Sequence, residues 1–234
     1  MIQGRGEFIR LALEDAGAPY VDVARASGAG LGMDAMFRLM RDPGLARRPL
    51  APPFLVDGTR IIGQTANILL HLGTRLGLAP RGLDDRLWVH QLDLTIADFV
   101  VEIHDTHHPI ASSLYYEDQA DAAAKRSKIF LEERLPKFLD YFEGILAANP
   151  ARGGWLTGAR ASTADLGLFQ VVAGLRYAFP NAMAAAEVER PRVSALSAQV
   201  AERPGIAAYL ASPRRIAFNE SGIFRRYNVL DWAD

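Results

Sequence analysis

His104, Asp105, His107 and His108 stand at the i, i+3, i+4 spacing that turns side chains to one face of a helix. That spacing could ligate a metal ion. It equally suits polar residues along one side of a long helix, the preferred reading, and no metal is expected. Gln64-Thr65 follows an apolar run and opens a helical pattern. A threonine N–H and hydroxyl at a helix N-terminus make a ready anion site, and also a plain N-cap. Ser162-Thr163-Ala164-Asp165 is a capping box. The Ser162 hydroxyl accepts from the Asp165 N–H while the Asp165 carboxylate reaches back to the Ser162 N–H, a structural role. Pro52-Pro53 stiffens the loop ahead of an apolar run, and Pro52 has no N–H to donate. There is no cysteine among the 234 residues, which excludes disulfides, thiolate metal sites and cysteine nucleophiles.

These residues need elements to hold them. Phe8, Ile9, Leu11, Ala12, Leu13 and Ala16 recur at three and four, so a helix runs from Gly4 to a C-cap at Gly17, with Glu7 in its first turn. Tyr20–Val23 reads as a short strand, 27–33 as a Gly-rich loop and Asp34–Arg41 as a short helix. Two apolar runs flank Asp57-Gly58, which predicts a β-hairpin over Phe54–Ile62. A helix follows from Thr65 to Leu76, stopped by Gly77 and Pro80. Beyond residue 84 only helical patterns appear, over 84–114, 118–147, 164–178, 192–201 and a short one from Pro204. The expected domains are therefore an α/β unit, 1–78, and an all-helical unit with an extended tail, 84–234. Half of the residues are apolar and the net charge is −1, so a sizeable core is expected and neither nucleic acid nor an acidic membrane is an expected partner. The arginine pairs Arg47-Arg48, Arg214-Arg215 and Arg225-Arg226 read as solvated surface. No run is long enough to span a membrane and the first residues lack a signal-peptide pattern, so a cytoplasmic protein is expected.

In this order, four segments resemble the glutathione transferase family, most closely its tyrosine-type sigma, mu and pi members. They are Gly4-Arg5-Gly6-Glu7-Phe8-Ile9-Arg10-Leu11, Pro52–Gly58 with Ile62–Leu69, Leu94–Phe99, and Leu156-Thr157-Gly158 with Ser162–Asp165. The resemblance covers essentially the whole chain. It implies a thioredoxin-like domain that holds glutathione, followed by an all-α bundle, in a homodimer.

The resemblance also implies roles for individual residues. Pro53 matches the cis-proline at which the glutathione backbone pairs with a strand; Pro52 before it can offer only its carbonyl. Gln64 and Thr65 match the pair that takes the γ-glutamyl carboxylate, and Asp98 the acid that reaches the γ-glutamyl amine of the neighbouring subunit. The lysine expected for the glycyl carboxylate falls at Gly44, with Arg47 and Arg48 as nearby substitutes. Arg5 matches an arginine beside the thiol-activating tyrosine, which in the family lies on a first strand about six residues earlier. That position precedes Met1, so no catalytic tyrosine is assigned; a misassigned start or truncated gene is expected, with an unpaired edge on a four-stranded sheet. His108, Ser112 and Tyr115 are expected to line the second-substrate pocket.

The activity so implied is transfer of the glutathione thiolate to small apolar electrophiles, with glutathione as co-substrate. A glutathione-dependent isomerase or peroxidase shares the scaffold, as does a catalytically silent fold member that binds glutathione, apolar ligands or a protein.

Overall fold

The computed structural model describes residues 1–233. The first helix, α1 (Gly6–Asp15), buries Phe8, Ile9, Leu11, Ala12 and Leu13, and Gly17 takes the left-handed conformation just beyond its end. Helix α2 (Met33–Arg41) follows a turn-rich stretch. Strands β1 (Phe54–Asp57) and β2 (Arg60–Gly63) pair antiparallel, with Asp57 opposite Arg60, so the two loop residues are Gly58 and Thr59. Helix α3 (Thr65–Leu76) then packs on α1.

The helical half holds α4 (Leu83–Asp105), α5 (Ala120–Ile129), α6 (Leu135–Ala148), α7 (Thr163–Ala178), α8 (Pro180–Val188), α9 (Pro191–Ala201) and α10 (Pro204–Leu210). A π-turn at Phe130–Arg134 joins α5 to α6. It lies just ahead of Pro136, whose missing N–H cannot take its place in a regular α ladder. Helix α7 is the axis of the bundle: every residue from Thr163 to Val172 is buried, and α4, α8, α9 and α1 surround it. The main core runs unbroken from Phe8, Leu11 and Ala12 of α1 into the bundle. A smaller cluster of Ile9, Leu13, Ile68 and Leu72 lies under the hairpin residues Leu55 and Ile62.

Three expectations are corrected. Tyr20–Val23 forms no strand, and among the described residues the sheet has two strands rather than four. A strand needs a neighbour to take its amides; here the Asp22 and Val23 carbonyls close turns with Arg25, Ala26 and Gly32 instead. The helix expected over 84–114 ends at Asp105. Pro109 disfavours helix at the residue before it, and the Thr106 hydroxyl bonds back to the Ile103 carbonyl at 2.7 Å. Ser112 therefore lies in a turn past the helix, and Tyr115 caps a short 3-10 helix at Tyr116–Gln119. Helix α8 was not expected at all; Pro180 at its first turn starts it, and Asp231 of the tail accepts the N–H groups of Asn181 and Ala182.

Candidate functional site

The antiparallel register builds the site. Phe54 pairs with Gly63, so the residue entering β1 and the residue leaving β2 come to the same end of the hairpin. Those residues are Pro53 and Gln64. The Pro52–Pro53 peptide bond is cis, with Pro53 half-buried and Pro52 exposed. Gln64 has φ 67°, one of two non-glycine residues with positive φ among those described. Such backbone costs about 1–3 kcal/mol and gathers at binding sites. It breaks the strand and starts α3 within one residue: the Gln64 carbonyl already accepts from Ile68 at 2.9 Å. Thr65 is then the first helical residue, and its Oγ1 is buried with no hydrogen-bond partner. A buried hydroxyl beside free helix-start amides is a donor set without an acceptor. An anion such as a carboxylate or a phosphate would satisfy it.

The remaining expected glutathione contacts are dispersed. Asp98 is exposed on α4, and its carboxylate has no hydrogen bond or ion pair among the described residues. It shares a face with Leu87, Leu94 and Val101, which are about half exposed. Arg47 and Arg48 are exposed in the loop ahead of the cis bond. Arg5 is the N-cap of α1. As a residue it is exposed, yet neighbouring protein desolvates its guanidinium enough to lower the pKa from the usual arginine value, against the attraction of Asp105. One side of this long side chain is covered while the other stays wet.

Of the residues expected to line the second-substrate pocket, His108 is buried, whereas Ser112 and Tyr115 are exposed. His107 Nε2 lies 2.8 Å from the Ile223 carbonyl of the tail, and its Nδ1 lies 2.6 Å from His108 Nδ1. A carbonyl only accepts, so His107 carries its proton on Nε2 and its bare Nδ1 receives the His108 proton. Burial pushes the His107 pKa down to about 3, and burial also lowers those of His104 and His108. Among the described residues no three His, Cys, Asp or Glu side chains are arranged to hold a metal ion. The tail covers the start of α1: Gln3 and Gly4 meet Phe218, Ile223 and Phe224 around a void of about 10 Å³, room for one water.

The capping box is in place. The Ser162 N–H donates to Asp165 Oδ2 at 2.7 Å, and the Asp165 N–H returns to the Ser162 hydroxyl. Asp165 Oδ1 also accepts from Leu156 N–H at 2.8 Å, tying the preceding loop to α7. Burial still raises its pKa to about 6. A second buried carboxylate was missed. Glu7 accepts from Tyr209 at 2.7 Å, Arg10 at 2.9 Å and Arg215 at 2.5 Å, so α1 is bolted to α10 and the tail. The Glu7–Arg10 spacing is visible in sequence; the partners some 200 residues away are not.

Residues 104–213 match the model of the glutathione S-transferase C-terminal domain. A goat (Capra hircus) glutathione S-transferase P is 28% identical over 165 residues, 70% of each chain, and the cattle (Bos taurus) protein of that name is 27% identical over 92% of this chain and 90% of its own. The chain is thus similar to glutathione S-transferases over nearly its whole length. Its fold is that of the Onchocerca volvulus Pi-class glutathione S-transferase, at TM-score 0.67 and 20% identity over 89% of this chain and 88% of that one. The structure of prostaglandin synthase D of Nilaparvata lugens also aligns at TM-score 0.67, with 18% identity over 92% of this chain and 96% of its own. The glutathione transferase fold thus comprises the hairpin with α1–α3 and the bundle from α4 onward.

Proposed function

We propose that this chain binds glutathione at Pro53, Gln64 and Thr65 and transfers its sulfur to small apolar electrophiles. The observation that carries this reading is the meeting of the cis Pro52–Pro53 bond with the unpartnered buried hydroxyl of Thr65. Thr65, with the α3 amides, takes the γ-glutamyl carboxylate, and Gln64 borders it. The Pro52 carbonyl accepts from the peptide backbone. Pro52 forgoes the second backbone bond, a loss of about 0.5–1.5 kcal/mol. Asp98 meets the γ-glutamyl amine of a partner copy across the α4 face, and Arg47 or Arg48 meets the glycyl carboxylate.

Cysteine-type thiols are mostly protonated at neutral pH, with a pKa of about 8.5. The family resemblance puts the thiol near Arg5, where a guanidinium favours the thiolate. The thiolate then forms a C–S bond to the electrophilic carbon, and the leaving group departs with its bonding pair. The proteins similar to this one support the domains at 1–78 and 84–234, and a cytoplasmic homodimer is the matching setting.

Calorimetry with glutathione, and conjugation of a generic aryl chloride, test the reading. Thr65→Val should weaken glutathione about tenfold, the loss of one charge-assisted hydrogen bond. Unchanged affinity in Thr65→Val and Gln64→Ala would show that glutathione sits elsewhere. Binding without turnover of any electrophile would leave a glutathione-binding fold member, the reading that Pro52 favours.

A further inference from the structure

The two ends of the candidate site are built differently. The end at the start of α3 is made of fixed donors. Gln64 is held at φ 67°, the Thr65 Oγ1 is buried without a partner, and no side chain caps the first amides of the helix. Backbone amides lose no side-chain freedom when an anion arrives, so little of what they gain is spent on ordering.

The other end has less to offer. Pro52 has no N–H, so it presents a carbonyl alone, and that carbonyl accepts nothing among the described residues. Arg47 and Arg48 are exposed, and neither side chain makes a hydrogen bond or ion pair among the described residues. A long side chain must be ordered before it holds a carboxylate in water, so an exposed pair adds at most about fivefold in affinity. Affinity is therefore lopsided. A carboxylate at Thr65 gains charge-assisted bonds, and a peptide N–H gains the Pro52 carbonyl. The peptide carbonyl that follows finds no donor on Pro52, and a carboxylate beyond it meets only solvated arginines.

We propose that the site selects the γ-glutamyl group rather than the whole tripeptide, so that its thiol co-substrates are γ-glutamyl thiols as a class, with the glycyl residue dispensable. The proposal rests on the reading of Pro53, Gln64 and Thr65 as the glutathione site. The reaction is the same for each thiol: its proton passes to solvent, the sulfur bonds the electrophilic carbon, and the halide leaves with its bonding pair.

The test is calorimetry with three thiols. They are glutathione, γ-glutamylcysteamine, which lacks the cysteinyl carbonyl and the glycine, and cysteinylglycine, which lacks the γ-glutamyl group. γ-Glutamylcysteamine should bind within about tenfold of glutathione, and cysteinylglycine more than about tenfold below it. A larger gap for the first, or a smaller one for the second, overturns the proposal. Pro52→Ala restores the missing N–H. It should tighten glutathione about fivefold and leave γ-glutamylcysteamine, which has no carbonyl there, unchanged. A glutathione-to-γ-glutamylcysteamine ratio unmoved by Pro52→Ala counts against the proposal in the same way. Arg47→Gln combined with Arg48→Gln breaks no contact within the chain and keeps the test open if Pro52→Ala fails to fold. A glutathione loss below about tenfold supports the proposal, and a greater loss overturns it. Thr65→Val tells the two failures apart. If it weakens neither γ-glutamyl ligand, the glutathione site itself is misplaced; if it weakens both while the tenfold limit is exceeded, only the selectivity is wrong.

Discussion

Gln64 illustrates how a single backbone angle decides a site. Its φ of 67° is strained for a side chain with a Cβ and easy for glycine. Gln64→Gly should hold or raise stability, by up to about 1 kcal/mol, because the native angle suits glycine. Glutathione affinity should fall at the same time. Denaturant melts beside calorimetry read both; a destabilised variant with full affinity would contradict the assignment. Asp93 is the other residue out of keeping with its surroundings. It is buried, its Oδ2 accepts from the Thr163 hydroxyl at 2.8 Å, and its Oδ1 has no partner. Burial raises its pKa to about 8, from an ordinary carboxylate value of 3.8. Between those values the folded chain holds a proton that the unfolded chain has released, so this group's contribution to stability falls as pH rises from about 4 to about 8. Asp93→Asn keeps an acceptor for Thr163 and does not titrate. Its stability relative to wild type should climb across that window, and melts at pH 4, 6 and 8 giving parallel offsets would refute the shift.

At the level of elements, two close approaches hold the tail and the helical ends. A Cβ built on Gly174 of α7 would lie 2.3 Å from the Phe224 ring, and one on Gly205 of α10 would lie 2.4 Å from the Glu14 carbonyl. Gly174→Ala forces Phe224 out of its seat, at a cost of about 1–3 kcal/mol. Limited proteolysis within 212–233 should accelerate in that variant; an intact, protected tail would mean the ring has another place to go. Helix α2 is the opposite case. It buries no residue, although Met36, Phe37 and Met40 are half-covered, and an open groove of about 780 Å³ separates it from Ile61. Its amphipathic pattern is legible, whereas the layer it lies against is thin because the sheet has two strands.

The whole molecule is held together by polar as well as apolar contacts between distant parts. Glu7 and Arg215, Gln3 and Gln170, and Asp15 and Arg203 join α1 to α7, α10 and the tail. On the outside, Leu83, Leu87, Leu94 and Val101 make an apolar stripe along α4, with Asp98 among them. Such a stripe on a long helix is suited to burial against a second copy. Leu94→Glu should therefore yield monomers by analytical ultracentrifugation and weaken glutathione binding with them, since Asp98 would lose its place in the partner's site. A wild-type chain that sediments as a monomer would dissociate the Asp98 assignment from glutathione.

Much of this protein was written locally. The hairpin around Gly58, α3 from Thr65 to Leu76, and the Ser162–Asp165 box depend on turn residues, caps and periodicity within a dozen positions, and they appear where those rules put them. The similarity to glutathione transferases was legible from ordered motifs, and that resemblance implied the cis bond at Pro53. Tertiary structure decided the rest, because it depends on partners far away in the chain. Tyr20–Val23 had strand-like residues but no neighbouring strand. The apolar pattern past Asp105 could not show that the helix would stop and hand His107 to a carbonyl 116 residues later. Glu7 and Arg215 lie still further apart, by 208 positions, so their meeting was beyond any local rule: charges and hydrogen bonds select partners by position in space, which only the folded chain supplies.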